Sequence, residues 1–454
     1  MMRRGRKALQ VVLTGFALFP ALFAVAQVAR PTIPGMVQGP RGPAPAPVLN
    51  EGATIEAMSP ELPTDAPLFP QQTRAPYHAG PAFTVTTVTD QLHVPWGMAF
   101  LPSGKYLITE RLPGALRIIS PAGEMAPPVA GVGAASASAT FGLLDVALDP
   151  NFRRNHRIFF TFFETKPRNP GPGITNSNTY IARATLDEAA NSVRDVTVIH
   201  RTIPAWPSER LGAKTGGRIG FDRAGNVFIV IGDRDDNPQQ ATPDWMSAQK
   251  LDNDLGKILH ITPDGAPVAD NPFLKTPGAR PEIWSYGHRS PQGLAFEPGT
   301  GTMWEAELGP RGGDEINIIV KGKNYGWPVI THGIDYPGTM INNGLTHQDG
   351  MEQPVYYWDP SRNPSGIAFY NGRLFPQWRG NLFVAMLNGK FLDRLTLRGG
   401  KVVAEEPLLL DQKTRIRHIA QGPDGALYVL TDSGTESMSA DTPIGSKLLR
   451  LTPK

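Results

Sequence analysis

From Phe83 onward the hydrophobic pattern of the chain is short and repetitive. An apolar run closes on a small residue with an apolar neighbour, a turn of Gly, Pro, Asp or Asn follows, and a β-branched or aromatic run comes next. The instances are "PWGMAFLPSGKYLITER", "LLDVALDPNFRRNHRIFFTF", "GGRIGFDRAGNVFIVIGDR", "PQGLAFEPGTGTMWEAE", "PSGIAFYNGRLFPQWRGNLFVAML" and "IRHIAQGPDGALYVLTD". With Ala99, Ala147, Gly220, Ala295, Ala368 and Ala420 taken as equivalent, the units are spaced 48, 73, 75, 73 and 52 residues apart. Further strands recur as "LGKILHITPDG", "FLDRLTLRGG" and "SKLLRLTPK". Helical periodicity is nearly absent, with "WMSAQKLDNDLG" the best candidate. A small antiparallel sheet cannot cover both of its faces, so six such units must stack, and radial stacking protects their edges. The pattern predicts an all-β, six-bladed β-propeller over residues 82–454 with long loops at one face.

The 81 residues before it differ. Residues 1–26 join a basic start, "MMRRGRK", to an apolar run broken by Gly15 and Pro20 and to a small-residue cleavage pattern at Ala24-Val25-Ala26, and they read as a signal peptide. Residues 27–81 read as a Pro-rich leader: positions 31–81 hold 12 of the 45 prolines, a composition that favours solvated, disordered backbone. The formal charge of +3 belongs to the signal, because removing Arg3, Arg4, Arg6 and Lys7 gives 3 − 4 = −1. A nucleic-acid partner is therefore not indicated. No cysteine is present, which suits a large exported domain that needs no disulfides. The chain has no second apolar stretch long enough to span a bilayer, so the expected location is periplasmic or secreted.

Chemistry concentrates in loops. "IWSYGHRSPQGLAF" delivers His288 and Arg289, "KTGGR" delivers Lys214 and Arg218, and "TRIRHI" delivers Arg415, Arg417 and His418. In "ELGPRGGDEINIIVKGKNYGWP", Asp314 and Glu315 follow two glycines directly. Basic side chains from several blades suit an anionic ligand, and an oxygen-rich loop suits a hard cation. A tight glycine turn with a solvated Asp-Glu pair is the structural alternative. "GDRDDNPQQATPD" imitates an EF-hand loop through Asp233, Asp235 and Asn237, but Pro238 stands where glycine is needed. The aromatic clusters "VYYW" and "NYGWP" are assigned to packing between blades, and His156 and His260 to structure.

Taken together, "PWGMAFLPSG", "GLLDVALDPNF", "GGRIGFD", "LGKILHITPDG", "PEIWSYGHRSPQGLAFEP", "GPRGGDEINIIVKGKNYGWP", "EQPVYYW", "PSGIAFY" and "QGPDGALYVLTD" resemble the soluble sugar dehydrogenases of the glucose/sorbosone dehydrogenase family, over about residues 83–453. The resemblance implies a six-bladed propeller, calcium (Ca2+), the cofactor pyrroloquinoline quinone (PQQ), a small-molecule sugar substrate, an unidentified electron acceptor, and oxidation of an aldose C1 hydroxyl to a lactone with hydride transfer to the quinone. Carried over by position, Gly309 and Pro310 present carbonyls to the calcium that bridges to the cofactor. Glu315 and the Tyr325 carbonyl match a second calcium site, with Asp314 beside it. Arg289, followed by Ser290, and the pair Arg415 and Arg417 match cofactor contacts.

The same alignment of motifs exposes departures. The family's general base, a histidine two residues before Gly-Gly-Arg, is replaced by Lys214. A glutamine is replaced by Thr140, an asparagine by Ser290, the polar residue before Gly-Pro by Leu308, and a cofactor lysine by Asn388, with Lys390 two residues on. Lys214 is thus the candidate catalytic residue, either as base or as anion ligand, and His418 offers an alternative imidazole. The sequence leaves two principal readings: a working or altered quinone-dependent dehydrogenase, and a secreted carbohydrate- or protein-binding propeller that has lost the quinone. A lactonase on the same fold is a third, and no residue arrangement singles it out.

Overall fold

The computed structural model describes residues 44–111, 114–136, 141–167, 174–204, 214–234, 246–434 and 444–454. The signal at 1–26, the first part of the leader to residue 43, and Thr140, Asp235, Asn237 and Pro238 lie outside them. Among the described residues six antiparallel sheets form the blades in chain order, and a two-stranded sheet joins Arg311–Gly312 to Gly333–Ile334. Blade 1 is Pro95–Phe100, Tyr106–Glu110 and Ala115–Ile119, and blade 2 begins with Phe141–Leu148 and ends with Ser192–Arg201. Blade 3 is Ile219–Phe221, Val227–Ile231, Lys257–Ile261 and Ile283–Tyr286. Blade 4 is Pro291–Phe296, Met303–Glu307, Asp314–Ile319 and Tyr356–Trp358. Blade 5 begins with Pro364–Phe369 and Leu382–Met386 and ends with Lys401–Leu408. Blade 6 takes Arg415–Gln421, Leu427–Asp432 and Ser446–Pro453 from the C-terminal end and closes with Phe83–Leu92, which pairs antiparallel with Ser446–Pro453 from Phe83↔Pro453 to Leu92↔Ser446. The ring is therefore shut by strands from opposite ends of the domain. This is the six-bladed propeller that the repeat predicts.

The first strand of each blade lies innermost, and these six strands touch in the cyclic order 1-2-3-4-5-6-1. All six equivalent small residues fall on them: Ala99, Ala147, Gly220, Ala295, Ala368 and Ala420. Small side chains belong where strands converge on an axis. Gly97 of "PWG" and Gly366 of "PSG" are stricter cases, since a Cβ at Gly97 would collide with the Asp145 carboxylate and one at Gly366 with the His418 ring. The core is divided into six main apolar clusters, each shared by two neighbouring blades. Tyr356 and Trp358 of "VYYW" pack between blades 4 and 5, as assigned. His260 is also structural, held by Asn271 at 2.9 Å and Asp222 at 3.1 Å. The one helical candidate shrinks to a single 3-10 turn, Ser247–Gln249, beneath which the buried Lys257 ammonium donates to the carbonyls of Ser247, Ala248 and Leu255. Among the described residues no helix is long and apolar enough to cross a membrane.

The leader requires correction. Residues 44–81 are packed on blades 4 and 5 and are not a solvated tether. Ile55 and Ala75 join the apolar cluster between those blades, and Leu62 is fully buried beside Ile334. Asp359 Oδ2 accepts from the amides of Glu61 and Leu62 at 2.9 and 3.3 Å, Arg74 donates to the carbonyls of Met58 and Asp359, and Glu405 N donates to Pro76 O. Proline content predicts the lack of regular structure. It does not predict the absence of a docking surface.

Burial, followed by partial relief from those two amides and by repulsion from Asp65 and Glu61, pushes the Asp359 carboxyl up to about 8. An unfolded aspartate titrates near ~3.9. Between the two values the unfolded chain gives up a proton that the folded one keeps, so this group's stabilising share is complete below about pH 4 and is lost as pH rises toward 8, at about 1.4 kcal/mol per pH unit. Asp359→Asn should flatten urea-derived stability across that window by one proton's slope; an unchanged slope would show that the carboxyl is already ionised at neutral pH.

Candidate active site

The start of each innermost strand and the end of the second strand lie at the same end of an antiparallel sheet, so six such pairs build one mouth. Lys214 precedes Ile219–Phe221, Arg289 and Ser290 precede Pro291–Phe296, Gly309 and Pro310 follow Met303–Glu307, and Arg415 and Arg417 open Arg415–Gln421. Arg111, Asp233 and Asp432 stand at the ends of second strands on the same rim.

On the side of blades 3 and 4 the polar groups form one connected chain. Lys214 has φ +44°, a left-handed backbone that a non-glycine residue adopts only under local constraint. Gly232 makes the constraint possible, because any Cβ there would collide with the Lys214 carbonyl. Lys214 Nζ lies 3.3 Å from Asp233 Oδ1, and Trp327 Nε1 donates to Asp233 Oδ2 at 2.6 Å. The Arg289 guanidinium lies 5.2 Å from the Trp327 ring centre, a cation–π placement. Arg289 Nη1 donates to the carbonyls of Leu308 and Gly309 at 2.8 and 2.7 Å, and Nη2 to the Tyr336 hydroxyl at 3.3 Å. Glu307 fixes the turn from below: its Oε2 accepts from the amides of Arg289 and Ser290 at 2.5 and 3.2 Å.

On the opposite side the charges are buried arginines. Arg417 Nε and Nη2 donate to Asp432 Oδ2 at 3.2 and 2.7 Å, and Arg415 Nε is 3.9 Å from the same oxygen. Burial alone would raise the Asp432 carboxyl, but Arg417, Arg415 and Arg111 together hold it below the usual carboxylate range. Arg218 donates from Nη1 to Asp145 Oδ1 at 2.9 Å and lies 4.0 Å over the Trp96 ring, while its buried Nη2 has no hydrogen-bond partner. Burial, then Arg218 and Arg417, push the His418 imidazole well below its ordinary value, and its Nδ1 is buried without a partner. Three buried guanidiniums, of Arg111, Arg218 and Arg417, and the half-buried one of Arg415 thus lie around two buried carboxylates, Asp145 and Asp432. This charge set suits a ligand with several carboxylates.

The residues expected to hold metal separate into different roles. Asp314 is fully buried, and its carboxylate accepts from the amides of Gly309, Arg362 and Asn363 and from the Ser361 hydroxyl. It therefore organises the loop, and burial outweighs those donors to push its carboxyl up to about 6. Tyr325 turns its hydroxyl to the Ile318 carbonyl and stacks on His288 at 4.6 Å. Glu315 meets Glu305 and Glu307 across the sheet around Asn317, whose Nδ2 lies 3.2, 3.4 and 3.3 Å from oxygens of Glu305, Glu307 and Glu315. His288 Nδ1 is 3.4 Å from Glu307, and the ligand atoms of His288, Glu305 and Glu307 lie within 4.8 Å of one another. Glu305 Oε1 and Asn317 Oδ1 are buried with no partner. Burial and mutual repulsion with Glu307 push both Glu305 and Glu315 well above the usual carboxylate range. A second acid cluster, His200, Asp254 and Glu282, provides the contrast, since Arg280 donates to both of its carboxylates.

The structure thus brings Lys214, Arg289, Ser290, Gly309, Arg415 and Arg417 to one mouth and surrounds Asp314 with backbone and hydroxyl donors. Asn388 and the exposed Lys390 lie on the turn after Leu382–Met386 at the same end. Sequence reasoning missed Asp233 as the partner of Lys214, the polar role of Trp327, Tyr336, and the acids of "WEAELG". Only the last left a readable signal, two glutamates at a spacing of two on a strand of a buried sheet.

The description "Glucose / Sorbosone dehydrogenase" belongs to a family model that matches residues 92–439. The aldose sugar dehydrogenase YliI of Escherichia coli (strain K12) is 39% identical over 367 residues, 80% of this chain and 94% of that protein. The crystal structure of the soluble aldose sugar dehydrogenase from Escherichia coli, in its apo-form, superposes with a TM-score of 0.71 at 38% identity, across 82% of this chain and 100% of that one. The PQQ-bound form of an aldose sugar dehydrogenase from Streptomyces coelicolor superposes with a TM-score of 0.62 at 28% identity, across 82% and 99%.

Removing one carboxylate from a buried charge cluster leaves its guanidiniums uncompensated. Asp432→Asn should lower urea-derived stability by ~3–5 kcal/mol; a loss below ~1 kcal/mol would mean that solvent already reaches Arg415 and Arg417.

Proposed function

Because the chain belongs to the glucose/sorbosone dehydrogenase family, we propose that it is an exported oxidoreductase that oxidises the C1 hydroxyl of an aldose to the lactone with bound PQQ. The observation that carries this reading is the convergence on one mouth of Arg218, Arg289, Arg415 and Arg417 from blades 3, 4 and 6, with the buried Arg218 Nη2 lacking a hydrogen-bond partner among the described residues. A quinone with several carboxylates suits that set of guanidiniums. When bound, it supplies the two-electron oxidant. Arg415 and Arg417 hold its carboxylates, and Arg289, fixed by Glu307, Trp327 and Tyr336, borders it on the other side. Ser290 is the adjacent contact.

Oxidation also requires the C1 hydroxyl to lose its proton. Lys214 stands where the family's base stands and is oriented by Asp233. His418 accepts a proton poorly, because its imidazole is depressed by burial and by Arg218 and Arg417. We place Lys214 Nζ at the substrate hydroxyl, where it takes the C1 proton only after yielding one of its own to the Asp233 carboxylate. The binding-module reading keeps one observation in its favour: the Gly309 carbonyl, which the resemblance gives to the bridging calcium together with Pro310, already accepts from Arg289.

A calcium ion fits Glu315 better than the resemblance alone suggests. Three carboxylates with orphaned Glu305 Oε1 and Asn317 Oδ1 offer the oxygen set that a hard cation takes, with Tyr325 alongside. Asp314 contributes through loop order only.

Titrating calcium-loaded protein with PQQ and following quinone absorbance on addition of aldoses tests the central reading. Binding below ~10 μM with bleaching by a sugar supports a dehydrogenase; no binding there leaves the non-catalytic propeller. In an active enzyme, Lys214→Ala should lower kcat by about 10²–10⁴-fold if lysine moves the proton. A raised KM at unchanged kcat would make it a binding residue only.

The cation site has its own readout. Calcium must displace protons from Glu305 and Glu315, so its affinity should rise with pH, seen as calorimetric proton release. Glu305→Gln should abolish the fall in melting temperature that a chelator causes; chelator-insensitive wild-type protein would remove calcium from this site.

A further inference from the structure

The middle of the packed leader, around Glu61, lies against the loop that follows Gly309 and Pro310. Glu61 is 1% exposed and Arg311, beside Gly309 and Pro310 in the mouth loop, is 3% exposed. Arg311 Nε donates to Glu61 Oε2 at 2.8 Å, and Nη2 lies 2.7 Å from the same oxygen. Arg311 Nη1 reaches the Tyr336 carbonyl at 3.3 Å, and the Tyr336 hydroxyl accepts from Arg289 Nη2 at 3.3 Å. The path Glu61–Arg311–Tyr336–Arg289 therefore runs from the leader to a guanidinium of the mouth.

Three neighbouring contacts make the path stiff. Asp65 pairs with His332 Nδ1 at 2.7 Å and accepts from the Tyr357 hydroxyl at 2.7 Å, with the His332 ring stacked on Tyr357 at 3.8 Å. Leu62 is fully buried against Ile334, with Met340 packed alongside. Gly312 runs so close to Asp359 that a Cβ would collide with its carboxylate, while the other oxygen of Asp359 holds the amides of Glu61 and Leu62. Leader, mouth loop 309–313 and loop 331–340 thus form one locked unit. The family model begins at residue 92, beyond this leader, so the leader's half of the lock, Glu61, Leu62 and Asp65, lies outside the part of the chain that it describes.

We propose that residues 56–65 are a strap that sets the blade 4 wall of the mouth, with Glu61 as a positioning residue for Arg289. The strap touches no reacting atom. It holds Arg311 where the Tyr336 backbone must bind it, and so places the hydroxyl that orients Arg289. Its effect on ligand affinity rests on the anion-binding reading of the mouth, whereas its effect on the loop does not.

The experiment uses the full chain with Glu61→Gln, Tyr336→Phe and the double variant, and Glu51→Gln as a control at an exposed leader pair with His78. PQQ affinity and amide hydrogen exchange of the peptides covering 305–317 and 331–340 are measured together, well below the melting temperature. Each single variant should weaken PQQ by about tenfold, the double no more than Glu61→Gln alone, and the control not at all. Exchange in both peptides should accelerate in Glu61→Gln. Fully additive losses, or PQQ affinity unchanged in Glu61→Gln, would overturn the positioning role. If wild-type protein binds no PQQ, the functional reading fails by itself, and exchange decides the strap: acceleration in Glu61→Gln sustains it and unchanged exchange removes it.

Discussion

Every blade is apolar on both faces, and no blade can bury either face alone. That constraint produces the six shared clusters, from the one between blades 1 and 2 to the one that blade 6 makes with blade 1. An open array would leave two large apolar faces in water; joining Phe83–Leu92 to Ser446–Pro453 removes both by closing the ring. Closure also dictates where chemistry can occur. Once six innermost strands converge, their starting residues and the ends of their neighbours share one rim, so Lys214, Arg289 and Arg415 stand on the same mouth although some two hundred residues of sequence separate the first from the last.

A rim enclosed by apolar blades is a poor solvent for charge, and the arrangement of charge there follows from that. Unpaired ions in such a place cost several kcal/mol each. Asp233, Asp145 and Asp432 each meet a cation. The exceptions are therefore informative. Around Asn317 three carboxylates meet an amide that carries two hydrogens, and Arg218 Nη2 is buried with no partner among the described residues. The cluster at Asp254 and Glu282 has the same ingredients and is balanced by Arg280, which shows that the fold can neutralise such a group with its own side chains. Where it does not, a ligand of opposite charge is the economical explanation.

How much of this was legible follows from the range of each interaction. The repeat was legible because small residues at the axis and apolar runs are local consequences of blade geometry. The arginines of the mouth were legible because each sits at a fixed offset from its blade motif. The leader was not, since what orders it are pairings such as Glu61 with Arg311 and Asp65 with His332, about 250 residues apart, to which proline content is blind. The surroundings of Asp314 were not legible for the same reason. Its neighbours in sequence suggested a metal loop, whereas its hydrogen-bond donors Ser361, Arg362 and Asn363 come from the next blade's approach.

The departures from the family pattern look damaging when taken one at a time, and the geometry gives a reason to take them together. Lys214 is the counter-ion of Asp233, Asp233 anchors the Trp327 indole, and Trp327 carries the Arg289 guanidinium on its face. Leu308 contributes no polar side chain, but its carbonyl and that of Gly309 take one arm of the same guanidinium, and Tyr336 takes the other. Two of the replaced positions are thus joined through Arg289. Restoring either one alone would disturb a buried ion pair or a filled hydrogen-bond set without rebuilding the other. Coupled sites of this kind lose additivity. The mouth is better described as one connected network than as a set of independent replacements, with Lys214, Asp233, Trp327 and Arg289 packed as a unit.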